Sequence, residues 1–301
     1  MIHTQGGQEM ANVPAERQPR TRRTAARRRG RAGRKYWLYL IAIPVALIMM
    51  IPYLYLLLQS LAPWDQVDKN FFPASLTLKS YQWLWTGGGY GAQPWLSALF
   101  NSLFVSAADS FCMVAIGAIV GYGLAIMEFR GKKFINGFIL FQMFYPGIIL
   151  LVPTFLVVRF LGLYNSVWAM IIPKMVGLWA IFMYTGFFRS INMEVIEAAR
   201  LDGASELSII FRIMLPISRS ITSVIFLFVF MDRWTELMWD LIVVKDAAHQ
   251  TLNVLLSTMF GPYGAYPGPL YAAGALLTFP ILVLFMAFSR NFVRGVQFVL
   301  R

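Results

Sequence analysis

Residues 197–216 read EAARLDGASELSIIFRIMLP, a polar interruption between two long apolar runs. On both sides of it the chain is membrane-like: 58% of its residues are hydrophobic, 16% aromatic and only 13% charged, with a mean hydropathy of +0.61. Ordinary soluble domains carry about 25% charged residues, so the solvent that suits this composition is a bilayer.

A helix needs about 20 mainly apolar residues to cross the hydrocarbon core. Runs of that kind lie at about 36–61, 98–127, 135–158, 167–187, 220–244 and 271–290. They predict an all-α integral membrane protein with six transmembrane helices, kinked at Pro146, Pro153, Pro173 and Pro280 where neighbouring helices accommodate the break. Between the first two runs, Pro63, Pro73, Pro94 and Gly87-Gly88-Gly89 mark a loop. The first run is too long, and too poor in small-residue cleavage signals, for a removed signal sequence. Residues 1–35 hold nine Arg, Lys35 and only Glu9 and Glu16 as acids; they read as a disordered basic arm ahead of a membrane domain at 36–301.

Six spans place both termini on one side. Short loops rich in Lys and Arg stay in the cytoplasm, and an inside N-terminus puts 20 of the 26 basic residues there: the arm's ten, then Arg130, Lys132, Lys133, Arg189, Arg200, Arg212, Arg219, Arg290, Arg294 and Arg301. Lys69, Lys79, Arg159 and Lys245 fall outside, and Lys174 and Arg233 within spans. Both termini and the interval around 197–216 are therefore expected in the cytoplasm. The net charge of +12 is mostly this topology signal. On an anchored chain the basic arm is expected to meet anionic lipid headgroups, at about 1 kcal/mol per basic residue near the surface, rather than nucleic acid.

Cys112 is the only cysteine, and His3 and His249 are far apart, so no internal disulfide and no metal site is expected. No histidine, cysteine or serine constellation with catalytic spacing appears, and the abundant Met and Phe read as packing and lipid contact.

Within the cytoplasmic interval, Val195 to Leu201 look helical, Asp202-Gly203 gives a break, and Leu207, Ile210, Phe211 and Met214 share one face of a second helix. An amphipathic lid on the lipid interface would look similar. The spacing is more specific: Glu197-Ala198-Ala199, three residues, Gly203, nine residues, Ile213, one residue, then Leu215-Pro216. It resembles the EAA loop of permease subunits of binding-protein-dependent ABC importers. Phe187-Phe188-Arg189-Ser190-Ile191, Asn101-Ser102, Gly121-Tyr122-Gly123-Leu124-Ala125, Phe129-Arg130-Gly131-Lys132-Lys133 and Phe292-Val293-Arg294-Gly295 are similar to the carbohydrate-uptake, maltose-type branch of that family. The likeness covers roughly residues 36–296.

The resemblance implies a non-enzymatic transport subunit in a bacterial inner membrane, with the EAA loop between the fourth and fifth helices. Its coupling residues would be Glu197, Ala198, Ala199, Asp202, Gly203, Ile213, Leu215 and Pro216, docking into cytoplasmic ATPase subunits. ATP and Mg would belong to that partner, since this chain has no Gly-x4-Gly-Lys-Ser/Thr loop to cradle phosphates. A second, non-identical permease and an extracytoplasmic solute-binding protein are also implied, with a sugar or oligosaccharide as cargo; some relatives of the branch carry glycerol phosphate.

Ionisable groups inside spans are costly and by default point to a polar pathway or a paired site. Here they are Asp109, Lys174, Asp232, Arg233, Glu236 and Asp240. Asp232, Glu236 and Asp240 recur every four residues and are expected along one face of the fifth helix. With Trp234 they either line the cargo path, carboxylates accepting from sugar hydroxyls and the indole stacking on a pyranose, or pair internally with Arg233 or Lys174. The family's usual Trp-Asn pair is here replaced by Trp234-Thr235-Glu236 and Trp239-Asp240. An ion-driven carrier would also use buried acids, yet it needs no EAA loop, and no internal repeat of the carrier kind is evident.

Overall fold

The computed structural model describes residues 22–86, 95–258 and 267–299, and among them all regular structure is helical. The loop expected around Gly87 to Pro94, and residues 1–21 of the basic arm, lie outside the described residues.

Contacts divide the chain into a unit ending at Leu54 and one running from Tyr55. The first holds most of α1 (Arg22–Ser60), which takes in the second part of the basic arm and so begins before the expected span. Every residue from Trp37 to Leu54 is exposed. A helix apolar all round, with no buried stripe, suits lipid rather than water.

The second unit contains α2 (Lys79–Thr86), α3 (Trp95–Ile126), α4 (Lys132–Met143), α5 (Leu151–Phe160), α6 (Val167–Ile171), α7 (Leu178–Phe188), α8 (Met193–Leu201), α9 (Glu206–Ile209), α10 (Leu215–Ile217), α11 (Arg219–Trp234), α12 (Met238–Val243), α13 (Leu252–Thr258) and α14 (Pro267–Val299). At its centre α3 packs on α7 and α11, and α11 on α14. In a bilayer, close packing of this kind relies on small residues that let backbones approach. Gly121 is one: a Cβ there would lie 2.6 Å from Tyr184 Cβ and 3.1 Å from the Thr185 amide nitrogen. Gly121→Val is expected to destabilise the chain by about 1–3 kcal/mol, the usual cost of overpacking. It should lower the thermal midpoint in detergent; an unchanged midpoint would mean that α3 and α7 do not meet there.

The six expected spans are realised unevenly. Among the described residues three helices are long and apolar enough to cross a bilayer, within Trp37–Ser60, Trp95–Ile126 and Pro267–Phe288. Two bent pairs, Lys132–Met143 with Gly147–Phe160 at 99° and Glu206–Ile217 with Arg219–Trp234 at 89°, bring the number to five if each is one span. The expected span 167–187 is split into α6 and α7. Its uninterrupted part, Leu178–Phe188, has 11 residues, about 16 Å of helix against a core of about 30 Å.

The proline rule explains some of these breaks. Pro146 falls in the bend between α4 and the 3-10 turn Gly147–Leu150, and Pro173 in the gap between α6 and α7. Pro153 sits in the first turn of α5, where a missing N–H costs nothing, and Pro280 stays inside α14. The expected span 220–244 is interrupted for another reason. Glu236 turns its own carboxylate onto the Trp239 N–H at 3.2 Å, starting α12, and Asn253 Nδ2 donates to the carbonyls of Thr235 at 2.9 Å and Glu236 at 3.3 Å. The carbonyls exposed by the break thus have partners, as irregular backbone in a membrane protein requires.

Candidate functional site

The 197–216 segment folds as two short helices around a glycine turn. Asn192 caps α8 by accepting from the Glu194 N–H at 3.2 Å. The helix ends at Gly203, whose φ of +79° belongs to the left-handed region that glycine enters without a Cβ clash. There the Gly203 N–H donates to Arg200 O and the Ala204 N–H to Ala199 O, both at 3.0 Å. That pair of bonds is a Schellman motif, which satisfies carbonyls otherwise left open at a helix end. Ser205 then caps α9, accepting from the Ser208 N–H at 3.3 Å.

One side of this unit is anchored. Ile196, Ala199, Ile209, Ile210 and Met214 are buried in a cluster with Ala118, Tyr122, Tyr184, Phe188 and Ile225. A polar clamp accompanies it. Glu206 Oε2 accepts from the Tyr122 hydroxyl at 2.5 Å, and Arg200 Nε donates to Glu206 Oε1 at 2.8 Å. The clamp fastens the glycine turn to the end of α3. The other side is open: Glu197, Ala198 and Asp202 are exposed, and Leu201 is 90% exposed.

The second helix differs from the expectation. Leu207, Ile210, Phe211 and Met214 do not share a face: Ile210 and Met214 are buried, whereas Leu207 and Phe211 are exposed. The buried face runs through Ile209, Ile210 and Met214, so Leu207 and Phe211 fall beside it; a π-helical turn over Ile210–Met214 widens the helix ahead of Pro216. Ile213 and Leu215 are half-buried and Pro216 is exposed.

The charges expected inside spans form separate constellations. Arg233 Nε donates to Asp109 Oδ2 and its Nη2 to Asp240 Oδ1, each at 2.6 Å, with all three side chains buried. Thr251 Oγ1 donates to Asp240 Oδ2 at 3.3 Å. Lys174 Nζ pairs with Glu236 Oε2 at 3.0 Å, and both line a hollow of about 330 Å³ shared with Thr154, Pro173 and Trp239. Asp232 is exposed and lines a different cavity of about 350 Å³, with Met113, Gly177, Trp179 and Phe228.

Comparison with known proteins fits this architecture. The family described as "Binding-protein-dependent transport system inner membrane component" matches residues 113–298. The chain belongs to that family. The permease is 30% identical over 86% of its length to the arabinooligosaccharides transport system permease protein AraQ of Halalkalibacterium halodurans, covering 94% of that protein. It is 28% identical, with the same coverage of both chains, to the trehalose transport system permease protein SugB of Mycobacterium tuberculosis. Its fold matches a chain from the crystal structure of a bacterial ABC transporter involved in the import of the acidic polysaccharide alginate, with a TM-score of 0.75, 20% identity and coverage of 88% and 98%. It is a multi-pass membrane protein of the ABC permease fold, among relatives that serve sugar and oligosaccharide transport.

In the permease the expected acidic stripe is not a single face. α11 ends at Trp234, so Asp232, Glu236 and Asp240 diverge into a cavity wall, an ion pair with Lys174 and the Arg233 triad. Trp234 is no lining residue either: it is 2% exposed, donates from Nε1 to Leu277 O at 2.9 Å and stacks on Phe230 with centroids 5.7 Å apart. The indole ties α11 to α14. Sequence reasoning gave Tyr122, Arg200 and Glu206 no role and passed over Trp179 and Thr251. The family-like run Gly121 to Ala125 was the available pointer to Tyr122; for Trp179 the only signal was its own aromatic character.

Proposed function

We propose that this permease is the membrane-embedded subunit of an ATP-driven importer for a sugar or oligosaccharide. It crosses the bilayer six times with both termini in the cytoplasm: by α1, by α3, by the bent α4–α5 pair, by the split α6–α7 segment, by α11 with α12, and by α14. The α8–α9 unit is the coupling element between the fourth and fifth passes. Its exposed Glu197, Ala198, Leu201 and Asp202 meet a cytoplasmic ATPase subunit, and ATP and Mg are bound and turned over on that partner. A second, non-identical permease and an extracytoplasmic solute-binding protein complete the assembly.

The observation that carries this reading is the two-sided α8–α9 unit: one face locked to α3 and α7 by packing and by the Tyr122–Glu206–Arg200 clamp, the other presenting an acidic group and an exposed leucine. An ion-driven carrier is a poorer fit, because Asp109, Asp240 and Glu236 are engaged by Arg233 and Lys174 and so are ill placed to hold a cation. The sugar reading rests on the named cargo of the relatives and on Asp232 beside Trp179, a carboxylate and an aromatic face together. Carboxylates accept from hydroxyls, and indoles cover the apolar face of a ring.

The decisive experiment is purification of the full chain with its co-expressed neighbours. An ATPase subunit should co-elute, and α8–α9 variants should lose it; co-elution without any ATPase would remove the proposal. For the cargo path, Asp232→Asn and Glu236→Gln are expected to raise the half-saturating sugar concentration about five- to tenfold each, the difference of about 1 kcal/mol between a charge-assisted and a neutral hydrogen bond. Uptake kinetics measure this, and an unchanged half-saturation with normal assembly would place the cargo contacts on the partner permease.

A further inference from the structure

A hollow of about 620 Å³ opens where the turn between α3 and α4 meets the end of α7, and it is lined by Lys132, Lys133 and Arg189 together with Asn136. Glu128 at its edge is already committed: Lys132 Nζ donates to Glu128 Oε1 and to Met127 O, both at 2.9 Å. Lys133 and Arg189 are exposed and make no ion pair among the described residues, and Arg130 adds a further exposed cation on the same turn. The hollow therefore carries more positive charge than Glu128, the one carboxylate in its lining, neutralises.

The helix that leaves it is apolar on the outside. α4 buries only Ile139, while Phe134, Phe138 and Phe141 are exposed, Phe134 at 77%, and the rings of Phe134 and Phe138 stack at 6.4 Å and 17°. At spacings of four and three these rings form one continuous strip that starts at the rim of the basic hollow, where Phe134 is itself a lining residue. A basic pocket continued by an aromatic strip is complementary to a molecule with an anionic head and hydrocarbon tails. A soluble anion would leave the strip unused, and an acidic protein surface would leave it facing water.

We propose that this hollow binds the headgroup of an anionic phospholipid, whose phosphate bridges Lys133 of α4 and Arg189, the residue that caps α7, while its acyl chains lie along Phe134, Phe138 and Phe141. The lipid joins α4 to the end of α7, immediately before the cap of α8, so its occupancy bears on how firmly the α8–α9 unit is held. This site is independent of the cargo and of the ATPase docking proposed above.

The test is lipid titration of the purified, delipidated full chain by native mass spectrometry, with phosphatidylglycerol and phosphatidylcholine of identical acyl chains. Phosphatidylglycerol should bind more tightly, and Lys133→Gln with Arg189→Gln should weaken it about thirtyfold, taking the usual strength of a basic residue near a charged membrane surface. Arg212→Gln with Arg219→Gln removes the same charge from exposed positions elsewhere and should leave binding unchanged. Phe134→Ser should weaken long-chain lipid more than a short-chain analogue, a readout that a general loss of folding would not give. Equal binding of the two lipids, an equal loss in the Arg212 and Arg219 control, or displacement by inorganic phosphate at the same concentration would each overturn the assignment.

Discussion

Gly203→Pro and Glu197→Lys are expected to abolish uptake in a chain that still inserts and assembles its helices. At position 203 the backbone φ is +79°, whereas proline is confined near −65°. The substitution also removes the N–H that donates to Arg200 O, so the Schellman turn cannot form and α9 leaves its angle to α8. Glu197 is exposed and has no partner among the described residues, so its reversal to Lys changes the proposed docking surface without disturbing the packed face. Losing a charge-assisted hydrogen bond costs about 1.5–3 kcal/mol, or about ten- to hundredfold in the affinity of the docked pair, and replacing attraction with repulsion adds to it. Cargo-stimulated ATP hydrolysis and uptake, measured on one reconstituted preparation, should both fall while membrane levels stay constant. Normal values for both variants would remove the coupling role of α8–α9.

Arg233→Ala is the second large effect, and it acts on the fold. Arg233 faces two buried carboxylates at 2.6 Å; without it both would have to be protonated or hydrated in a low-dielectric interior. Removing one partner of a buried ion pair costs about 3–5 kcal/mol, a large share of the roughly 5–15 kcal/mol that holds a typical domain together. The purified yield and thermal midpoint should collapse. Asp109→Asn, Arg233→Met and Asp240→Asn combined should recover most of that loss, because a buried ion cluster replaced as a unit is often near neutral. Failure of the triple variant to recover either quantity would show that Arg233 is required for something other than neutralising these carboxylates.

Much of the architecture was legible from local signals. The membrane character followed from composition, and the glycine turn at 203 from a residue type that its backbone angle demands. The spans at 98–127 and 271–290 correspond to long helices because nothing inside them competes with the ladder strongly enough to stop it. The breaks at Pro146 and Pro173 carried a visible cause. The break after Trp234 did not: it is made by the side chain of Glu236 and by Asn253, 18 residues beyond Thr235, and no proline or glycine announces it. Periodicity of four therefore suggested one acidic face where the structure has three environments. The clamp was hidden for a related reason, since Tyr122 and Glu206 are 84 residues apart and neither is unusual in its own neighbourhood. The face expected for Leu207 to Met214 is divided because the packed side is centred on Ile209, Ile210 and Met214, and apolar spacing alone does not say which edge of an apolar stripe meets the neighbouring helices.

The split of the 167–187 segment has a mechanical meaning. Pro173 has no N–H to offer Ala169, four residues earlier, and the Trp239 indole N–H takes its place on Ala169 O at 3.1 Å; Arg233 Nη2 reaches Met170 O at 3.4 Å. Nearby, the Asn165 N–H donates to Val243 O at 2.8 Å, and the Asn165 side-chain oxygen accepts from the Lys245 and Asp246 N–H groups at 2.9 and 2.8 Å. Residues 165–170 and 239–246 are thus stitched together across the gaps in their own helices. Any swing that opens one side of the bilayer and shuts the other would carry this pair together, because separating the two segments breaks the Trp239–Ala169, Asn165–Val243 and Asn165–Lys245 bonds at once.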